Sequence, residues 1–112
     1  MFGIGVLYRN MKEFFMMDPV KGKITLKDGS VYEGDLLKGI PHGKGKLTYR
    51  DGSVYEGDLF NGKFHGKGKL TYIYGSVYEG DWADGEMNGI GKMTYPDGKV
   101  DEGRFGNSEF VG

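Results

Sequence analysis

The stretch Gly45-Lys46-Leu47-Thr48-Tyr49-Arg50-Asp51-Gly52-Ser53-Val54-Tyr55-Glu56-Gly57-Asp58-Leu59 decides the fold. On both sides of its centre, side chains alternate with a period of two, which is the period of a strand and not of a helix. Before the centre, Leu47 and Tyr49 share one face, with Lys46 and Thr48 on the other. After it, Tyr55, Gly57 and Leu59 share a face opposed to Glu56 and Asp58. Arg50-Asp51-Gly52 supplies the turn. A two-residue loop at Asp51-Gly52 would set Leu47 opposite Glu56 and mix the faces. A three-residue loop with Gly52 in the left-handed conformation sets Leu47 opposite Tyr55 and Lys46 opposite Glu56, so the three-residue hairpin is predicted.

The same pattern returns every 23 residues. Full units run over 32–54, 55–77 and 78–100, each opening on Tyr-Glu-Gly-Asp, with a partial unit over 101–112 and a half unit over 22–31. Gly39, Gly62 and Gly85 coincide, as do Gly43, Gly66 and Gly89, and Gly45, Gly68 and Gly91. Tyr49, Tyr72 and Tyr95 close the second strand of each unit. Parity requires an even loop inside each unit, expected at four or six residues around Lys38-Gly39-Ile40-Pro41. With every strand beside its sequential neighbour, the predicted fold is all-β, a single-layer elongated antiparallel meander of tandem hairpins. Residues 1–20 are expected to form an N-terminal cap or a degenerate repeat. Gly3-Ile4-Gly5 with Tyr8 suits a worn repeat tail, and Met11, Phe14, Phe15, Met16 and Met17 suit a capping segment.

Composition supports strands and narrows function. Glycine supplies 22 of the 112 residues without collagen spacing, and 14% aromatics argue against disorder. Fifteen basic side chains against 16 acidic ones leave a net charge of -1, so no bulk field draws nucleic acid. The absence of cysteine excludes disulfides, thiolate metal sites and a cysteine nucleophile. Arg9 interrupts the apolar Met1–Tyr8 stretch before it reaches the length of a signal segment or a membrane span. A cytoplasmic chain, peripheral to a membrane if it meets lipid, is the expectation.

The spacing Tyr-x-Gly-x(4)-Gly-x(3)-Gly-x-Gly, followed by a turn Asp-Gly, resembles the MORN (membrane occupation and recognition nexus) repeat over Tyr32 to Gly112. Three features depart from it: Tyr74 stands where Asp51 and Asp97 occupy the turns, Asp101 replaces the opening tyrosine, and Arg104 breaks the series Asp35, Asp58, Asp81. The resemblance implies an elongated twisted sheet that acts as a scaffold or self-associating module, with phospholipid contact in some members.

The candidate partner-binding residues form an aromatic row: Tyr32, Tyr49, Tyr55, Tyr72, Tyr78, Trp82 and Tyr95, with Phe60 and Phe64 nearby. Ring-on-ring packing along the sheet explains the row as a minimal core. A single layer leaves that face uncovered, which makes it equally a docking surface for a protein or a second copy. Trp82, Phe60, Phe64 and Met87 are the expected anchors. On the other face acidic first strands alternate with lysine-bearing second strands, a solvated ladder. Lys21, Lys23 and Lys27, with fewer acidic neighbours, are where an anionic phospholipid (phosphoinositide) head group would be met, the alternative reading. His42 and His65 recur one unit apart, roughly 10 Å from each other, too far to share a metal. No catalytic grouping, cofactor or metal site is expected, and the function read from the sequence is a non-enzymatic scaffold that binds another protein or itself through the aromatic face or the ribbon ends.

Overall fold

The computed structural model describes residues 20–112, so the N-terminal cap lies, Val20 apart, outside the described residues. Nine strands follow in sequence: β1 Val20–Thr25, β2 Val31–Leu37, β3 Ile40–Thr48, β4 Val54–Phe60, β5 Lys63–Thr71, β6 Val77–Ala83, β7 Glu86–Thr94, β8 Val100–Gly106 and β9 Glu109–Phe110. They form one antiparallel sheet in the order of the chain, with no crossover and no helix among the described residues. The molecule measures 60 × 28 × 16 Å, the proportions of a ribbon.

Two kinds of hairpin alternate. Between units, Leu47 lies opposite Tyr55 and Lys46 opposite Glu56, the register that keeps both faces clean. Tyr49 N–H donates to Ser53 O at 2.8 Å, which closes a three-residue loop with Gly52 at φ +100°. Asp51 Oδ1 accepts the Ser53 N–H at 2.8 Å, and Asp28 and Asp97 repeat the arrangement at Ser30 and Lys99.

Inside each unit the loop is shorter than parity alone suggested. Leu37 pairs with Ile40, leaving Lys38-Gly39 as a two-residue turn with φ of +54° and +79°. Asn61-Gly62 and Asp84-Gly85 likewise have two successive positive φ values, the geometry of a type I′ turn. The predicted four or six residues is therefore corrected to two. The remaining residues sit in a bulge: Gly34 pairs with Gly45 and Leu36 with Pro41, so His42-Gly43-Lys44 oppose Asp35 alone. The same excess recurs in the next two units.

Aspartate at the fourth motif position holds that bulge. Asp35 Oδ2 accepts Lys44 N–H at 3.0 Å, Asp58 accepts Lys67 N–H at 3.0 Å, and Asp81 accepts Ile90 N–H at 2.8 Å. A β-carbon on Gly66 would lie 2.7 Å from Asp58 Oδ2 at a φ of +83°, which is why glycine recurs there.

The core is a single file of side chains on one face. Tyr32, Tyr55 and Tyr78 are completely buried, joined by Leu36, Leu59, Leu70, Trp82, Met87, Met93 and Phe105. Each motif tyrosine lies flat across a pair of glycines. A β-carbon on Gly68 would come 2.5 Å from ring carbons Cε1 and Cζ of Tyr55. The hydroxyl then reaches past the glycines to donate to the carbonyl three residues on: Tyr32 to Asp35 O and Tyr55 to Asp58 O at 2.7 Å, Tyr78 to Asp81 O at 2.8 Å. Glycine floor, flat ring and capped hydroxyl together explain the motif spacing as packing.

Candidate partner-binding face

Aromatic residues of successive units close over one another. Phe64 stacks on Tyr55 with centroids 3.6 Å apart and planes 6° from parallel. Trp82 then meets Tyr55, Phe64 and Tyr78 edge-on at 5.4, 5.2 and 5.2 Å, and Phe105 meets Tyr78 at 5.0 Å. Trp82 Nε1–H donates to Gly68 O at 3.1 Å. These edge-to-face contacts each add about 0.5–1.5 kcal/mol to the area buried.

The predicted site divides accordingly. Tyr32, Tyr55 and Tyr78 are wholly interior, and Trp82 and Met87 are buried with only a sliver of surface left. The expected anchor Trp82 is a core residue, because the glycine floor lets each ring lie down and the next unit cover it. Phe64 is half-buried against them. Phe60 stands on the opposite face, half-exposed, between the imidazoles of His42 and His65 at 4.9 and 5.7 Å. It therefore separates the two histidines, and His42 Nδ1 accepts the Asn61 N–H at 3.2 Å. Among the described residues no three potential metal ligands converge.

Tyr49, Tyr72 and Tyr95 remain accessible in part, packed against the outer side of the core file. The structure adds Tyr74, 67% exposed and stacked on Tyr72 at 5.1 Å, and Ile73, also exposed. Shallow depressions flank this row: one lined by Tyr49, Asp51, Ser53, Leu70 and Tyr72, another by Tyr95, Pro96, Asp97, Lys99, Val100 and Asp101. Burial pushes the Tyr49 and Tyr72 hydroxyls above the usual phenol range, helped by Asp28 and Asp51 at Tyr49 and by Tyr74 and Tyr49 at Tyr72. Tyr95 Oη donates to Asp101 Oδ2 at 2.9 Å, a bond that raises its own pKa. Tyr74 breaks the turn pattern, and that break was the sequence signal of its exposed ring.

The charged face is more neutralised than the sequence suggested. Lys21 pairs with Asp35 at 2.7 Å, Lys44 with Asp58 and Lys67 with Asp81. Lys23 stands opposite Glu33 in the ladder. Two of the three lysines expected to have few acidic neighbours thus have one directly across the strand; Lys27 lies exposed in the first three-residue loop. The series ends where both partners change, Ile90 standing opposite Arg104.

A MORN repeat family model matches residues 32–54, 55–76 and 78–100, three consecutive hairpin units of the sheet. The chain belongs to the MORN repeat family. No curated protein matches it. MORN repeats are in general non-enzymatic modules for interaction with proteins or membranes, and here the elements that recur in each MORN unit serve packing. The tyrosine, the glycines and the aspartate of each MORN hairpin build the floor, the core and the bulge. Outside that packing lie the outer row of tyrosines and the loops beside it.

Proposed function

We propose that this chain is a non-catalytic scaffold that binds a protein segment along the row Tyr49, Tyr72, Tyr74 and Tyr95. Tyr74 carries the reading. In the other three loops an aspartate at this position accepts a backbone N–H two residues on. Tyr74 forgoes that bond, which contributes about 0.5–1.5 kcal/mol elsewhere, and instead extends an aromatic surface into solvent. An exposed tyrosine stacked on a half-buried one is the composition of a binding surface, since the ring offers area and the hydroxyl a directional bond. The flanking depressions are open, a form suited to a peptide and not to enclosing a small substrate.

The test is affinity capture from native extract with wild type, Tyr74→Asp and Phe60→Ala in parallel. Tyr74→Asp restores the loop residue of the other units and so keeps the fold. A partner retained by wild type and Phe60→Ala but lost by Tyr74→Asp is the expected result. Equal capture by all three, or loss only with Phe60→Ala, would move the site off this row.

A further inference from the structure

We infer that the segment taken by this row is proline-rich, bound as a polyproline II helix, with a basic side chain directed at Asp51; this rests on the reading just given and names its ligand class.

Rung spacing is the first ground. Tyr49, Tyr72 and Tyr95 occupy the same position in successive units, each separated by two strands. Adjacent strands lie ~4.8 Å apart, so the rungs recur at ~9.6 Å. A polyproline II helix advances ~9.3 Å per three-residue turn, so every third residue meets a rung with a mismatch of ~0.3 Å per unit. An α-helix returns to the same face only after seven residues and ~10.5 Å, which accumulates error three times as fast. An extended strand presents alternate residues ~6.8 Å apart and misses the rungs altogether.

Hydrogen bonding is the second. The hydroxyls of Tyr32, Tyr55, Tyr78 and Tyr95 each donate to a protein oxygen. Those of Tyr49, Tyr72 and Tyr74 have no hydrogen-bond partner among the described residues, although the first two are half-surrounded by protein. They are donors in search of acceptors along one line. A polyproline II segment has backbone carbonyls that no internal bond consumes, and its prolines bring no competing N–H.

Charge is the third. Asp51 lines the depression between Tyr49 and Tyr72 and forms no ion pair among the described residues. Its neighbour Arg50 packs instead over Gly29, where its charge acts on Asp28. One acidic group in an aromatic-lined hollow selects for an arginine or lysine flanking the prolines.

The experiment titrates the isotopically labelled full chain with a synthetic oligoproline peptide bearing an arginine at each end, followed by amide chemical shifts. A control peptide keeps the arginines and replaces proline by glycine and serine. Expected are saturable shifts at Tyr49, Tyr72, Tyr74 and the loops beside them, none at Phe60, and no saturable binding of the control. Tyr49→Phe and Tyr72→Phe keep the rings and weaken binding about 2- to 10-fold each, the worth of one hydrogen bond; Asp51→Asn weakens it and flattens its salt dependence. Equal binding of the control peptide, shifts centred on Phe60, or no binding at millimolar peptide overturns the inference. If oligoproline fails while Tyr74→Asp still abolishes capture of the native partner, the ligand class alone is wrong. If Tyr74→Asp leaves capture intact, the row itself is wrong.

Discussion

Tyr55 rests on Gly68, ring against backbone, with the hydroxyl bonded beyond it to the Asp58 carbonyl at 2.7 Å. The pair belongs to adjacent strands and recurs as Tyr32 on Gly45 and Tyr78 on Gly91. Gly68→Ala is expected to cost about 3 kcal/mol, because the displaced contact is a rigid ring packed under Phe64 and Trp82. Tyr55→Phe, which keeps the ring and leaves a carbonyl unsatisfied, is expected to cost about 1 kcal/mol. Urea midpoints read both, and equal losses for the two variants would mean that the floor is not the critical contact.

Trp82 and Tyr74 should separate stability from binding. Trp82→Ala removes a core side chain touching three other rings and is expected to cost about 3–5 kcal/mol. Tyr74→Asp sits on an exposed loop and gains an acceptor for a loop N–H, so its melting temperature should match or exceed wild type. A large drop for Tyr74→Asp would show that its stack on Tyr72 holds the fold.

Acid should loosen the ribbon through its bulges. The Lys21 ammonium and the Lys44 N–H hold the Asp35 carboxyl below the usual range, and Lys67 with the Ile90 N–H does the same for Asp81. At Asp58 burial pushes upward but is outweighed by Lys44 and the Lys67 N–H. A carboxyl lowered in the folded chain contributes fully above its unfolded value of about 3.9 and loses that contribution as pH falls through its folded value. The urea midpoint is expected to be level from about pH 7 to 5 and to decline below about pH 4. The double variant Asp58→Asn, Asp81→Asn should show a smaller decline; an unchanged slope would place the acid sensitivity elsewhere.

The two-residue turns should be intolerant of branched side chains. Asn61 holds φ at +51° ahead of Gly62, a conformation that asparagine adopts far more readily than valine. Asn61→Val is expected to cost about 1–2 kcal/mol, measurable as a shift in urea midpoint. A neutral result would indicate that the turn can relax to another type.

Strand identity, order, the three-residue hairpins and the facing of Tyr55 with Leu47 were all legible from alternation and parity, because a slip of one residue would expose the tyrosines. Parity fixes only whether a loop is odd or even, so it could not tell a two-residue turn with a bulge from a longer loop. Asn61-Gly62 and Asp84-Gly85 were the local signals that decide it. The aromatic row was legible as a set, but its division into interior and surface was not. That division depends on rings lying down over glycines, a contact between strands that alternation does not encode. Phe60 went to the other face for the simple reason that it follows Leu59. Tyr74 was visible as a departure and gains meaning only beside Tyr72.

The bulges have a consequence for shape. In each of the three units the second strand is two residues longer than the stretch it pairs with, and always on the same side of the hairpin. A bulge bends its strand and tightens the local twist. Identical bulges set at equal intervals give every unit the same local bend and twist. That shape is then a property of the single unit, and the number of units sets only how far the ribbon extends. A ribbon of this kind can be lengthened or shortened by whole hairpins while the curvature offered to a partner stays the same.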